Sequence, residues 1–278
     1  MRNSITVTAA FLVGFLLLAG TGCKKLQARD NVNQGIANYK NAKYNVAVEH
    51  FKKAIELDPD FAAARLYLAT AYMVQWIPGA ESPENIEFAE KAKAEFGRVL
   101  ERDAADKVAL ASLASLAYNQ AGSLPLEQKL KKFDDAAEWY HKLIAVDPAN
   151  KEAYYSLGVI SWAKWYPALM TARANLRMKP EDPGPIKDKK VKEDLKTRYT
   201  EIVDDGIKNL SKAVDIDKEY EDAMSYLNLL VRERADLLDN ADDYKREIIV
   251  ADNWVQKALD TKKIKAARQP KTGGIVQE

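Results

Sequence analysis

Few residues of this chain could carry out catalysis. Its two histidines are His50 and His141, and its one cysteine is Cys23. A zinc site draws on several His, Cys or carboxylate ligands, so these residues do not predict one. The sequence also has no glycine-rich phosphate loop, no G-x-S-x-G and no H-E-x-x-H. We therefore predict that the protein is not an enzyme and binds no cofactor or metal.

Three pairs of adjacent aspartates are the remaining chemical candidates. A carboxylate pair can serve as general acid and base, but it is also favoured beside the positive end of a helix dipole. We expect the second role, with each pair close to the start of a helix. The pairs are Asp134-Asp135, Asp204-Asp205 and Asp242-Asp243.

The elements that must position these residues follow a repeated pattern. A small residue, a bulky one four positions later and a small or branched one three further on occur five times. The first copy is Ala47, Phe51 and Ala54, followed by Asp58-Pro59. Spacings of four and three lie on one helix face, which predicts a seam where helices pack closely. The later copies are Ala92/Phe96/Val99, Ala136/Tyr140/Leu143, Gly206/Leu210/Ala213 and Ala251/Val255/Ala258.

In this pattern the chain resembles the tetratricopeptide repeat. The first-helix signature of that family has counterparts at Gly35, Ala69, Ala114 and Gly158, and a weak one at Leu227. The resemblance covers residues 29–262. It implies an all-α fold, a right-handed α-solenoid of about five tetratricopeptide-like helix pairs.

The repeat period is longer than that of the family. The seam positions are 45, 44, 70 and 45 residues apart, whereas the usual repeat has about 34 residues. We therefore expect lengthened helices joined by loops, with one helix of about 20 residues beginning at Ser82-Pro83. A period near 45 also fits HEAT-like helix pairs, which stay an alternative.

Two segments are predicted to be irregular. The segment at about 178–190 holds Pro180, Pro183 and Pro185, which forbid a continuous helix. It is either a binding loop or a connector that packs across the helix ends. Residues 263–278 lack periodicity and predict a disordered tail.

The N-terminus predicts export. Residues 1–22 have Arg2, an apolar run and small residues before Cys23, as in a signal peptide. The arrangement resembles a bacterial lipoprotein, which implies a lipid on Cys23 and a tether over residues 23–28. Ordinary cleavage at the same bond and a retained N-terminal helix anchor are the alternatives. The resemblance implies the periplasmic face of the envelope, and Lys24-Lys25 favours the outer membrane.

Charge excludes one class of partner. Removing residues 1–22 leaves 41 basic and 41 acidic residues, so no excess of positive charge favours nucleic acid. The single cysteine excludes an internal disulfide, and packing alone must hold the fold.

The resemblance also implies where a partner binds. In the family, the first helices of the repeats line a concave groove, and the matching positions here are mostly apolar and aromatic. An open groove is favoured because Thr70, Ser115 and Asn119 lie among them and would be costly if buried without partners. The alternative is that lengthened helices close the groove. The groove positions are Tyr39, Lys40, Leu66, Thr70, Met73, Tyr118, Asn119, Tyr155, Trp162 and Arg232.

The predicted function is a non-enzymatic protein–protein interaction scaffold. It would bind an unknown protein or peptide, and assembly of an outer-membrane or pilus complex is among the roles that the resemblance implies. The alternative is a structural envelope protein that self-assembles. The charged run Arg232–Asp236 favours the scaffold, because a polar cap on the last repeat would prevent end-to-end stacking.

Overall fold

The computed structural model describes residues 23–122 and 124–268, and in these two ranges all regular secondary structure is helical. Within these described ranges ten helices follow one another, the number predicted for five successive pairs. They are α1 over residues 23–40, α2 (Tyr44–Leu57), α3 (Ala62–Met73), α4 (Pro83–Leu100), α5 (Lys107–Gln120), α6 (Leu126–Val146), α7 (Lys151–Asn175), α8 (Lys189–Ile216), α9 (Glu221–Ala235) and α10 (Ala241–Arg268).

The chain forms two compact units. The first ends at Lys129 and the second begins at Leu130, so the boundary falls within the first turns of α6. The predicted lengthening is unequal along the chain. Helices α2, α3 and α5 have 14, 12 and 14 residues, whereas α7, α8 and α10 have 25, 28 and 28. The second unit therefore contains the longest helices.

All seam residues except the partly exposed Val255 are buried, which confirms the reading of the repeated pattern. Ala47, Phe51 and Ala54 are fully buried in the first unit. Two first-helix glycines explain why the bulky seam residue fits. A Cβ on Gly35 would lie 2.4 Å from Phe51 Cε1, and one on Gly158 would lie 2.3 Å from Leu210 Cγ. The missing side chain thus makes the room that the next helix fills.

Several helix starts follow local sequence signals. Ser82 accepts a hydrogen bond from the Asn85 N–H at 3.2 Å, and Pro83 opens the 18-residue α4 as predicted. Asp188 caps α8 in the same way, through the Val191 N–H at 3.0 Å. These side chains satisfy N–H groups that the helix itself leaves without acceptors.

The segment between α7 and α8 is irregular over residues 176–188, overlapping the predicted 178–190. It packs on the ends of neighbouring elements: the Ile186 N–H donates to the Asp236 carbonyl at 3.0 Å, and the Gly184 N–H donates to Tyr244 Oη at 3.0 Å. Ile186 is fully buried. These contacts are those of a connector across helix ends.

Both predicted chain-end boundaries differ from the structure. Residues 23–28, expected as a tether, are helical, and Ala28 is already buried in the core of the first unit. Residues 263–268, expected as tail, belong to α10, because Lys265 pairs with Glu221 and Arg268 with Glu219 at 2.7 Å. The predicted signal peptide and residues 269–278 lie outside the described residues. No described helix is both long and apolar enough to cross a membrane.

Candidate functional site

Five aromatic side chains of the second unit form one connected group, which we call the aromatic cluster. Its members are Tyr155, Trp162 and Tyr166 on α7, Tyr226 on α9, and Tyr220 just before α9. The ring of Tyr226 meets Tyr155 edge-on at 5.7 Å and Trp162 at 5.6 Å, and Trp162 stacks on Tyr166 at 4.8 Å. All but Tyr220 remain partly exposed. The cluster thus presents aromatic surface from two first helices.

Glu233 lies at one end of the aromatic cluster. Its Oε1 accepts a hydrogen bond from Trp162 Nε1 at 3.0 Å, whereas its buried Oε2 has no hydrogen-bond partner among the described residues. Burial raises the pKa of Glu233 to about 7, the Trp162 hydrogen bond opposes this, and Asp236 adds to it. The nearby Trp165 indole also lowers the pKa of Glu233, although Trp165 Nε1 does not meet the geometry of a normal hydrogen bond.

A cavity of about 340 Å³ lies beside Glu233. One wall consists of Tyr166, Leu169 and Met170 from α7. Residues 180–183 of the irregular segment and the side chains of Arg232, Asp236 and Tyr244 complete it. The cavity therefore combines an apolar wall with several charged groups.

A buried ion pair holds the wall of this cavity. Arg173 on α7 and Asp236 after α9 are 4 % and 5 % exposed and pair directly. Arg173 Nη2 also donates to the Lys179 carbonyl at 2.8 Å and to the Asp182 carbonyl. Burial raises the pKa of Asp236, and Arg173 opposes the effect. The pair thereby ties the irregular segment to α7 and α9.

The repeats are also recognised by comparison with known proteins. The family model described as "Tetratricopeptide repeat" matches residues 32–75 and 125–164. These two segments are tetratricopeptide repeats. Among solved structures, a crystal structure of MamA protein is 14% identical, covers 89% of this chain and 98% of its own, and has a TM-score of 0.55. Comparison with curated proteins gives no match.

Two further MamA structures agree with this fold. A crystal structure of MamA is 16% identical over 84% of this chain and 96% of its own, with a TM-score of 0.53. MamA from residue 41 to its end, from Desulfovibrio magneticus RS-1, is 16% identical over 86% of this chain and 96% of its own, with a TM-score of 0.51. At such identities the likeness shows a shared fold and no shared partner.

The residues predicted from the tetratricopeptide resemblance to line a groove fall into both units. Lys40 is exposed and the other nine are partly buried. In the second unit, Tyr155 and Trp162 join the aromatic cluster, and Arg232 borders the cavity. The residues placed in the first unit are Tyr39, Lys40, Leu66, Thr70, Met73, Tyr118 and Asn119.

The polar groups of the first unit do not decide whether a groove is open. Thr70 Oγ1 donates to the Leu66 carbonyl at 2.9 Å, and Asn119 Nδ2 donates to the Ser115 carbonyl at 2.9 Å. Both bonds run to the preceding turn of the same helix, so the groups are satisfied without water or a partner. The polar groups of Thr70 and Asn119 therefore do not favour an open groove over a closed one.

The other chemical candidates have ordinary structural roles. His50 Nδ1 lies 3.3 Å from Asn31 Oδ1, and His141 is exposed. Asp134 pairs with Lys164 and Asp204 with Arg234. Contrary to the expectation, only the pair Asp242-Asp243 lies in a first turn, because α6 and α8 begin well before their aspartates.

Sequence reasoning missed the groups that define the cavity. The run Arg232–Asp236 was expected to be a polar cap, but Asp236 is buried and Glu233 is mostly so. Helical spacing offered one signal: Tyr226 and Glu233 are seven residues apart, as are Tyr155 and Trp162, which puts each pair on one helix face. The pairing of Arg173 with Asp236, 63 residues apart, had no such signal.

Proposed function

We propose that this tetratricopeptide repeat protein is a non-enzymatic interaction scaffold whose aromatic cluster contacts a polypeptide partner. The observation that carries the proposal is the partly exposed surface of Trp162 and Tyr226, on the first helices of adjacent repeats. Aromatic side chains dominate the binding energy of protein interfaces because they bury a large area with few rotatable bonds. An extended or helical segment is the kind of partner that such a surface fits.

Photo-cross-linking from inside the aromatic cluster tests this proposal. A photoreactive phenylalanine derivative at position 226 should capture a defined polypeptide in intact cells, which mass spectrometry then identifies. The matched control carries the same group at position 201, an exposed site on α8 of the same unit. Equal capture from both positions, or none from position 226, would contradict the proposal.

We further propose that the protein is an exported lipoprotein, anchored through Cys23 at the periplasmic face of the outer membrane. The sequence before Cys23 supports export, and residues 23–27 are all exposed, so a lipid on Cys23 would displace no packing. Assembly of an outer-membrane or pilus complex is the role that this location suits.

Cys23→Ser tests the anchor. The variant should leave the membrane fraction while its melting temperature stays unchanged, since the exposed side chain supports no core contact. Fractionation of native and variant protein from the same cells, with thermal melts of both, provides the measurement. Membrane association that survives the substitution would refute lipid anchoring at this residue.

Self-assembly is the second candidate function, and one observation favours it. Helix α10 exposes four large apolar side chains, at 43 to 60 % of their surface: Ile249, Val250, Leu259 and Ile264. Such side chains on the last described helix suit stacking against another copy. Light scattering of the purified chain should show a mass that rises with concentration, and Ile249→Lys should suppress it. A constant monomer mass would dismiss this candidate.

A further inference from the structure

The cavity beside Glu233 has room for one side chain. Its volume of about 340 Å³ is near the lower end of the range for ligand pockets, roughly 300–1,000 Å³. It borders the aromatic cluster directly, because Tyr166 and Glu233 belong to its lining and both contact Trp162. A segment lying on the cluster could therefore place a residue in the cavity.

The positive charges that line the cavity are already paired. Arg173 is engaged by Asp236 and by backbone carbonyls. Arg232 donates to Asp252 at 2.5 Å and to Asn228 Oδ1 at 3.2 Å. Both guanidiniums thus already have a carboxylate partner, although the buried Arg173 Nε makes no hydrogen bond to the described residues.

The negative charges are in excess. Oε2 of Glu233 is buried without a hydrogen-bond partner. Glu181 is exposed and has no ion-pair partner among the described residues. The carboxylate of Asp182 accepts from the Lys179 N–H at 2.7 Å, which is a neutral donor. Three acidic residues thus line the cavity without an ion-pair partner among the described residues.

The apolar wall further limits which kind of side chain can occupy the cavity. Leu169 is buried, and Met170 and Tyr166 stand beside it. A wholly apolar guest would leave Glu233 Oε2 buried and unpaired, which is costly, and an anion would meet the carboxylates. Lysine and arginine have an apolar stem for the wall and a cation for the acids.

We propose that this cavity is a subsite for a basic side chain, a lysine or an arginine, of the polypeptide that the aromatic cluster binds. The inference rests on the proposed function and names the chemistry that the partner brings. It gives the buried Glu233 oxygen the partner that it lacks in the free protein.

The protonation of Glu233 should make the affinity of the subsite depend on pH. Its pKa of about 7 means that the carboxyl is largely protonated below that pH and ionised above it. A cation binds the ionised form, so affinity should rise with pH through 7. The charged or titratable groups facing Glu233 are Arg232 and Asp236 beside it, Arg173 and Tyr166 on α7, Glu181 and Asp182 on the irregular segment, and Tyr244 on α10.

The experiment titrates the full chain with three small probes, the N-acetyl amides of lysine, arginine and norleucine. Norleucine has the stem of lysine without its ammonium group. The indole N–H signal of Trp162, which donates to Glu233, reports binding by NMR. We expect saturable shifts with the lysine and arginine probes, none with norleucine, and tighter binding at about pH 8 than at about pH 6.

Two variants and one control localise the effect. Glu233→Gln should weaken the binding of the lysine and arginine probes roughly tenfold or more and remove the pH dependence of their affinity. Glu181→Gln, at an exposed site without folding risk, should weaken them about twofold, and Glu201→Gln on α8 should change nothing. Equal binding of norleucine, no saturation below about 0.1 M, or unchanged affinity in both cavity variants would overturn the subsite.

The two proposals fail separately. A partner captured from position 226 together with no binding of basic probes would leave the scaffold standing and remove the subsite. Probe binding without capture would leave a cation site that no polypeptide uses, which contradicts the inference as stated.

Discussion

Each unit has an irregular segment between two helices, residues 74–82 in the first unit and 176–188 in the second. Different kinds of side chain hold the two segments in place. In the first unit, Asn85 at 6 % exposure accepts from the Ile77 N–H at 2.7 Å and donates to the Ile77 and Ala80 carbonyls at 2.9 and 2.8 Å. In the second unit, the equally buried ion pair Arg173–Asp236 fixes residues 176–188. One segment is held by a neutral amide and the other by charges.

The difference has consequences for function. A buried amide with all its hydrogen bonds made is indifferent to pH and to the charge of a ligand. A charge in the second unit is sensitive to its surroundings: burial is the main reason why the pKa of Glu233 is raised, and Asp236 of the ion pair adds to it. The second unit can therefore discriminate ligands by charge, whereas the Asn85 contacts of the first unit offer only shape.

Breaking the ion pair should have the largest effect. Asp236→Ala leaves Arg173 buried without its carboxylate, and we expect a loss of about 3–5 kcal/mol in the free energy of unfolding. Urea unfolding followed by tryptophan fluorescence suits the test, because Trp139, Trp162, Trp165 and Trp254 lie in the second unit. Glu201→Ala is the exposed control. A loss below about 1 kcal/mol would show that the pair contributes little.

Removing the Glu233 charge should change how the free energy of unfolding depends on pH. The folded pKa of about 7 exceeds the ordinary 4.5, so the native state binds more protons than the unfolded chain between these values. Stability is consequently lost as pH rises from 4.5 to 7. Glu233→Gln should remove this loss and gain up to about 3 kcal/mol at pH 8 relative to its effect at pH 4.5.

Paired melts of native and Glu233→Gln protein at both pH values measure that gain. Comparing differences between the two proteins cancels the other carboxylates, which titrate in both. A variant whose advantage is the same at both pH values would mean that Glu233 titrates near its ordinary range.

Deleting the amide in the first unit should cost less than breaking the ion pair. Asn85→Ala removes three hydrogen bonds and leaves the Ile77 N–H without an acceptor, for a loss of about 2 kcal/mol. Hydrogen exchange by mass spectrometry should show faster exchange in residues 74–82 and no change in residues 176–188. Faster exchange in both segments would contradict a local role for Asn85.

The smallest effect is expected at Thr70. Its hydroxyl bonds only to the preceding turn, so Thr70→Val should change stability by about 0.5 kcal/mol or less. A thermal melt of the variant measures this. A drop comparable to that of Asn85→Ala would reveal a contact that the helix itself does not account for.

Much of the fold is readable from local sequence. The seam at Ala47, Phe51 and Ala54 is buried as its spacing predicts, because period 3.6 places such residues on one face whatever the helix packs against. The side-chain cap at Ser82 and the prolines of residues 176–188 likewise act on the backbone next to them in sequence. The family resemblance then supplied the pairing of helices.

The site is less local, and sequence reasoning recovered it in part. Tyr155 and Trp162 were predicted from the first-helix positions, and they join the aromatic cluster. The sequence predicts a polar cap that includes Glu233 and Asp236, because a run of charges is usually exposed. Their burial depends on α7, α9 and the irregular segment meeting at one place, which no periodicity encodes.

The sequence by itself thus determined the helices, their seams and the breaks between them, since these follow from backbone geometry and side-chain period. Tertiary structure alone decided which charges are desolvated and paired. Arg173 and Asp236 are 63 residues apart, and only the packing of α7 against α9 brings them into contact and excludes water. Electrostatic strength depends on that exclusion, so the chemistry of the cavity arises with the fold.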